Sequence, residues 1–492
     1  MLVTTVVRRV ALGCAVVLAA AALYGAALYG TTLDGAAAPA PVTAAPPGVQ
    51  RTLYTTNGGS ADISAFTIGP GGELTRLGPA VPAGELPRAI VLTPDGRRAY
   101  VVSNAAAGGG LLGAYAVDAR GALSRLGPPL LIGRAPFGLA VSPDGRRLYA
   151  TEHDAGTVAV FTITPDGAPA RVDAPVTPGP ADPNAVAVSP DGRFLYVSGG
   201  RPQPGQPGQL ATFAIGVDGS LSPLGEPLSL ESAGAGLTFT PNGRFLYLTT
   251  TATGGVHAFR VGRDGGLTPV AGSPYPAPAR PVGSAVTPDG RHLFVGVGEF
   301  GTTPNGVWGF RIGRNGALTP LAAQPFPSGI APIWVTATPD GRHLYAVNRN
   351  TSDVSGFAIG PGGALTEVVG SPVPTGGQDA LLQSIAVRPD QGPIARFGAR
   401  AAPAGRPSKF DAAASTDPDG RVARYDWDFG DGTRLVNGGA APRHVYRSSG
   451  DYMVTMTVTD NEGCSTSLVY TGQSALCHGT RAAATSRTVS VR

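Results

Sequence analysis

The sequence predicts an all-β chain: a seven-bladed β-propeller followed by a small β-sandwich. Three observations carry that prediction. The phrase Thr-Pro-Asp-Gly-Arg-x-x-Tyr, with minor substitutions, recurs at Thr93–Tyr100, Ser142–Tyr149, Ser189–Tyr196, Thr240–Tyr247, Thr287–Phe294 and Thr338–Tyr345, and is truncated at Arg388-Pro389-Asp390. From Pro94 to Pro389 the steps are 49, 47, 51, 47, 51 and 50 residues, a period in the range of propeller blades. After about Gly392 the period stops, and strictly alternating strands broken by Asp/Gly turns take its place.

Each repeat explains one blade. Short β-rich runs flank the phrase, such as Ala89-Ile-Val-Leu before the first copy and Ala99-Tyr-Val-Val after it. Pro presets φ at the first corner, Asp bonds nearby backbone, and Gly accepts positive φ, which makes a tight hairpin. A second turn follows at Gly71-Gly72, Arg120-Gly121, Asp166-Gly167, Asp218-Gly219, Asp264-Gly265, Asn315-Gly316 and Gly362-Gly363. An alternating strand precedes each of these turns, as in Ile63-Ser-Ala-Phe-Thr-Ile and Val307-Trp-Gly-Phe-Arg-Ile. Leu follows one residue later in every unit except the third, where Pro169 stands. Two hairpins and a connection give four strands, one blade. The repeat opens mid-blade at Leu53-Tyr-Thr-Thr-Asn and stops after Ile385-Ala-Val. One blade should therefore take a single strand from the C-terminal end of the ring and three from its N-terminal end, leaving no open edge.

Composition narrows the function. With 72 Gly and 47 Pro among 492 residues, and 42% hydrophobic residues, turns and alternating strands account for the chain better than disorder does. The formal charge of +4 does not point to nucleic acid, because only 14% of residues are charged, arginines are scattered and Lys409 is the sole lysine. Arg8-Arg9 precede an apolar stretch to about Leu28 and then a Pro/Ala-rich segment, which reads as an export signal over 1–48. An uncleaved membrane anchor is the alternative. Cys14 belongs to that segment; Cys464 and Cys477 remain and are expected to pair as a disulfide in an exported domain. The propeller is then expected over 49–390 and the sandwich over 391–492, in a monomer that is secreted or held at the cell surface.

The C-terminal text contains Phe410-Asp-Ala-Ala-Ala-Ser-Thr-Asp-Pro-Asp-Gly, Tyr425-Asp-Trp-Asp-Phe-Gly-Asp-Gly, His444-Val-Tyr and Gly450-Asp-Tyr-Met-Val-Thr-Met-Thr-Val-Thr-Asp. It resembles the PKD domain family, an immunoglobulin-like module, and the resemblance implies an extracellular adhesive or spacer role. The repeats, carried by Pro-Asp-Gly-Arg-x-Leu-Tyr-Val, an Ala-Phe-x-Ile strand and Asp-Gly-x-Leu, resemble lactonase-type and YVTN-repeat seven-bladed propellers over 52–390. That resemblance implies fold first, since the matching residues are scaffold.

Function should sit opposite the Pro-Asp-Gly-Arg turns, in the loops at the other mouth of the channel. Those loops offer Arg88, Arg134, His153, Arg280, Trp334 and Arg349 for an extracellular ligand. The lactonase resemblance implies a His at the mouth of an innermost strand. The matching positions here include Arg88, Phe137, Asn184, Gly283, Trp334 and Ser384, none of them His. No catalytic residue is carried over, so a non-catalytic binding or scaffold protein for a protein, polysaccharide or small molecule is the first reading. The second is a lactone hydrolase in which His153, flanked by Glu152 and Asp154, is the base and Arg134 or Arg349 holds an anion. No cofactor is required by either. Asp417, Asp419, Asp426, Asp428 and Asp431 could gather oxygens for Ca2+ in the sandwich, although Asp is also the ordinary turn residue. Trp427 is expected in the core, and His444 in a packing role.

Overall fold

The computed structural model describes residues 51–105, 108–172, 182–200, 207–251, 254–277, 280–298 and 305–492. The expected export signal over 1–48, with Cys14, lies outside the described residues. Seven antiparallel four-stranded units form the propeller, some carrying a short fifth strand. Blade 2, as an example, consists of Ile90–Leu92, Arg98–Asn104, Gly110–Val117 and Leu123–Arg125, from the channel outward. Blades 3 to 7 repeat this plan, with innermost strands Pro136–Val141, Pro183–Val188, Gly234–Phe239, Pro281–Val286 and Pro332–Ala337. Blade 1 closes the ring as expected. Its innermost strand Ile385–Val387 pairs antiparallel with Thr52–Asn57, placing Leu53 opposite Val387 and Thr55 opposite Ile385. In the third unit Pro169 begins the outer strand in place of Leu, at an edge position where its missing N–H is harmless.

The recurring phrase is a self-contained turn. In blade 2 the Thr93 hydroxyl donates to Asp95 Oδ1 at 2.5 Å, and the same oxygen accepts from the Arg97 amide at 3.1 Å. The Gly96 amide closes the turn on the Thr93 carbonyl at 2.8 Å with φ of +61°. The Tyr of the phrase does something else: it fastens one blade to the next. The hydroxyls of Tyr54, Tyr100, Tyr196, Tyr247 and Tyr345 each donate to the carbonyl of the second-turn glycine one blade on, namely Gly121, Gly167, Gly265, Gly316 and Gly72, at 2.7–3.0 Å. All five rings are fully buried, and burial pushes these phenols well above the usual tyrosine range. Blade 6 has Phe294 at this place, and the Tyr149 hydroxyl of blade 3 is buried with no partner among the described residues.

Two residues before that position, aromatic rings pack onto the second-turn glycines of the next blade. Phe194, Phe245, His292 and His343 stand so close to Gly265, Gly316, Gly363 and Gly72 that a Cβ there would lie 2.3–2.5 Å from the ring. His292 and His343 thus play the part of phenylalanine. Burial holds both below the ordinary histidine range, against the pull of Asp289 and Asp340.

The C-terminal domain is the expected sandwich. One sheet contains Gly398–Arg400, Pro407–Asp411 and Arg443–Val445; the other contains Arg434–Leu435, Val422–Asp428, Gly450–Asp460 and Ala484–Val491. Phe410, Trp427, Phe429, Tyr446, Val454 and Met456 fill the space between them. Trp427 is buried and donates from Nε1 to the Gly439 carbonyl at 3.0 Å. His444 stacks on Phe429 at 4.2 Å and bonds Asp431 at 2.7 Å, a packing role. A third small sheet joins the domains: Asp390–Gln391, just beyond the last propeller strand, runs parallel to Ala475–His478, which pairs with Val469–Tyr470. The tip of that hairpin enters the channel from the Pro-Asp-Gly-Arg side. Tyr470 and Ala475 belong to the core of blades 3 and 4.

Candidate functional site: the open mouth of the channel

Each blade contributes the start of its innermost strand to the channel mouth. Arg88, Phe137, Asn184, Ala235, Val282, Ile333 and Leu382 come from seven successive blades and line one pocket of about 380 Å³. The strands can converge this closely because small residues follow. A Cβ on Gly138 would lie 2.7 Å from the Asn184 carbonyl oxygen, and one on Gly236 2.6 Å from that of Val282.

The polar part of the pocket is cationic. Arg88 and Arg349 both line it. The Arg88 guanidinium lies 3.9 Å above the Phe137 ring, and its Nε is buried with no hydrogen-bond partner among the described residues. Burial, and then the charge of Arg349, push Arg88 down to about 10. It remains charged at neutral pH, so an anion placed there would relieve both effects. The His153 ring sits 4.4 Å from Phe137, with Nε2 at 3.9 Å from Asp182 Oδ1 and Nδ1 buried without a partner among the described residues. At 3.9 Å that pair is an electrostatic contact and not a hydrogen bond. Asn184 is held by its Nδ2 donating to the Gly200 carbonyl at 2.9 Å. The remaining wall is apolar, with Leu86, Leu381 and Leu382.

Three expected ligand-binding residues, Arg88, His153 and Arg349, therefore meet in one pocket. The others stand elsewhere. Arg134 has a side chain 72% exposed and reaches Asp154 at 3.8 Å, outside the described lining. Glu152 is buried and satisfies the Gly133 amide and the Thr157 hydroxyl, each at 2.7 Å, and Arg171 at 3.1 Å. It is a structural carboxylate of blade 3. Arg280 is likewise not among the lining residues. Trp334 lines a smaller cavity of about 60 Å³ deeper in the channel, with Thr238, Ser284 and Gln383. Sequence reasoning missed Gln383. It comes from the lead-in to blade 1, and its amide donates to the Leu139 carbonyl and accepts from the Leu139 amide of blade 3. No local pattern announces such a cross-channel brace.

The Cys464–Cys477 disulfide is formed, with a Cα–Cα distance of 5.7 Å. The acidic residues of the sandwich divide into two groups. Asp426, Asp428 and Asp431 are engaged by Arg424, Arg434 and His444. Asp417 and Asp419 instead face Asp390 and Asp460, which no motif or spacing links to them. Among the described residues, Asp390 Oδ2, both Asp417 oxygens, Asp419 Oδ1 and Asp460 Oδ2 are buried without a hydrogen-bond partner. Burial, then mutual repulsion in the cluster, raise Asp390 and Asp417; burial raises Asp419 and Asp460 as well.

Comparison with known proteins agrees with this architecture. Residues 49–184 and 177–279 match the family described as lactonase, 7-bladed beta-propeller, and residues 390–473 match the PKD domain. Among solved structures, a candidate 6-phosphogluconolactonase from Bacteroides uniformis superposes with a TM-score of 0.59 at 23% identity, covering 69% of this chain and 99% of its own. The periplasmic gluconolactonase of Pseudomonas aeruginosa gives 0.57 at 21% identity, covering 69% and 99%. At these identities the likeness is one of fold. A microbial collagenase of Vibrio alginolyticus is 40% identical over 62 residues, 13% of this chain and 7% of that protein. The collagenase ColA of Clostridium perfringens is 46% identical over 54 residues, 11% and 5%. The chain thus spans only a small part of these curated relatives.

Proposed function

We propose that this lactonase-type propeller with its PKD domain is an exported, monomeric binding protein whose channel mouth takes a small anionic ligand. The observation that carries the reading is the convergence of Arg88 and Arg349 on one pocket, with the Arg88 Nε buried and unpartnered. A carboxylate seated there would gain charge-assisted hydrogen bonds, while Phe137 and the leucines take the carbon skeleton. Sugar acids are the first class to try, given the gluconolactonases that share the fold. Titration calorimetry with gluconate, glucuronate and benzoate tests it. Arg88→Ala should weaken the best ligand at least tenfold and Arg134→Ala should not. Absence of binding by all three, or equal loss in both variants, would overturn the reading. The PKD domain, in the same reading, keeps the propeller near an extracellular protein or polysaccharide.

A second reading, a lactone hydrolase, is favoured by His153 standing near Asp182 in the pocket that holds both arginines. His153 would take a proton from water attacking the acyl carbon while an arginine holds the acyl oxygen. Assay of δ-gluconolactone and a lactone panel decides it: no turnover, or turnover unchanged in His153→Ala, removes the mechanism.

We also propose Ca2+ as an accessory ion, held by Asp390, Asp417, Asp419 and Asp460. The buried, unpartnered carboxylate oxygens fit a hard cation that favours several oxygen ligands. Cys464 lies beside them but its sulfur is in the disulfide, so the donor set is oxygen only.

A further inference from the structure

The end of the channel opposite the mouth is filled by the chain's own C-terminal domain, and the filling follows the blades in order. The innermost strands of blades 5, 4, 3 and 2 end at Phe239, Val188, Val141 and Leu92, each just before the first turn of its blade, Pro-Asn-Gly-Arg in blade 5 and Pro-Asp-Gly-Arg in the others. Their amides point into the channel. Phe239 donates to the Thr471 carbonyl at 2.9 Å, Val188 to the Gly472 carbonyl at 2.8 Å, and Val141 to the Gln473 carbonyl at 3.0 Å. The Leu92 amide donates to Ser474 Oγ at 3.2 Å. Four consecutive tip residues thus serve four consecutive blades. The Gln473 side-chain amide adds a bond to the Leu237 carbonyl, and the buried Tyr470 hydroxyl lies within hydrogen-bond distance of the Val141 and Gly472 carbonyls, with one proton to share between them.

The tip has little freedom to be anything else. Gly472 has φ of +123°, where a side chain is strained, and a Cβ there would meet Ala187 Cβ at 3.1 Å. At the base of the hairpin the Cys464–Cys477 bond joins the start of the loop to the returning strand. A buried strand-end amide without an acceptor carries a desolvation cost, so the channel end is a built receptor for a short turn of main chain.

We propose that the 464–477 loop is a disulfide-held latch, with Thr471–Ser474 as the resident peptide ligand of the lower end of the channel. The latch fastens the C-terminal domain to four blades, so this domain is not a free spacer. The assignment is independent of what the mouth pocket binds.

Hydrogen exchange with mass-spectrometric readout on the full chain tests it. In the wild type, amides of Val141, Val188 and Phe239 should exchange slowly and with one common rate. In Gly472→Val, and in the Cys464→Ser/Cys477→Ser double variant, all three should speed up at least tenfold together. Peptides covering the outer strand Leu267–Pro269 and the sandwich strand Gly450–Asp460 should keep their wild-type rates. Ser474→Ala, which leaves the backbone of the tip intact, should accelerate Leu92 selectively. Unchanged exchange at the three amides in Gly472→Val, or three unrelated rates in the wild type, would overturn the latch. If Gly472→Val loses protection throughout by failing to fold, Ser474→Ala decides alone: an unchanged Leu92 rate overturns the assignment.

Discussion

Tyr345→Phe and Tyr149→Phe are the same chemical change at the same place in two blades, and the structure gives them opposite consequences. The Tyr345 hydroxyl donates at 2.7 Å to the Gly72 carbonyl, joining blade 7 to blade 1 where the ring closes. Both groups are buried. Removing the hydroxyl deletes a bond with a net worth of about 1 kcal/mol and strands a buried acceptor, for a loss of about 1–2 kcal/mol. The Tyr149 hydroxyl is equally buried but has no partner. Burial of an unpaired hydroxyl costs about 1–3 kcal/mol in proteins, so Tyr149→Phe should be neutral or stabilising by up to about 1 kcal/mol. Phe294, buried in blade 6, shows that the position accommodates the ring alone. Urea unfolding followed by circular dichroism in the strand band compares the two variants under identical conditions. The midpoint should fall for Tyr345→Phe and stay or rise for Tyr149→Phe. Equal losses would refute the claim that these tyrosines act as blade-to-blade fasteners, and so would an unchanged Tyr345→Phe.

The histidines give the protein an acid side. His292, His343 and His257 are all held below the ordinary histidine range by burial, so just below pH 6.5 the unfolded chain binds more protons than the folded one. Stability is therefore constant in this respect above pH 6.5. It falls with acidification below it, by at most about 1.4 kcal/mol per pH unit for each histidine. His343→Phe, which keeps a ring against Gly72, should flatten that slope in pH-dependent unfolding, and an unchanged slope would contradict the packing. Glu152→Ala leaves the Gly133 amide and the Arg171 guanidinium without their carboxylate and should cost about 2–4 kcal/mol, whereas Glu152→Gln should cost less and leave ligand affinity at the mouth unaltered. For the Asp390, Asp417, Asp419 and Asp460 cluster, Ca2+ at one hundred times its dissociation constant should add about 2.7 kcal/mol, read as a rise in the melting midpoint that EDTA reverses and Asp390→Asn diminishes. A midpoint indifferent to Ca2+ removes the ion.

The parts of the molecule legible in the sequence are those made by local chemistry repeated in phase. The Thr-Pro-Asp-Gly turn is closed by its own Thr and Asp side chains, so it can be recognised wherever it occurs. The ring closure is legible because the missing strand at Thr52–Asn57 and the spare one at Ile385–Val387 are halves of one repeat. Arg88, His153 and Arg349 can be placed on one face from the sequence because strand starts alternate with turns in a fixed order, and all three line the same pocket. Where exposure decides, the sequence is silent: Arg134 and Glu152 flank the same loop as His153, yet one is turned to solvent and the other is locked inside blade 3. Contacts between segments far apart in the chain were not readable at all. Gln383 meets Leu139 across the channel, and Asp390 meets Asp460 across the domain junction, with no periodicity to reveal either. Tyr470-Thr-Gly-Gln-Ser had one faint signal, its position between two cysteines outside the strand pattern.

The most direct test of where this molecule receives a ligand is an anomalous-scattering crystal structure after a bromide soak. A bromide peak in contact with the Arg88 and Arg349 guanidinium groups, with Thr471–Ser474 seated at the opposite end of the channel, is the predicted result. A mouth without bromide and an anion lodged instead among the Leu92, Val141, Val188 and Phe239 amides would contradict the account.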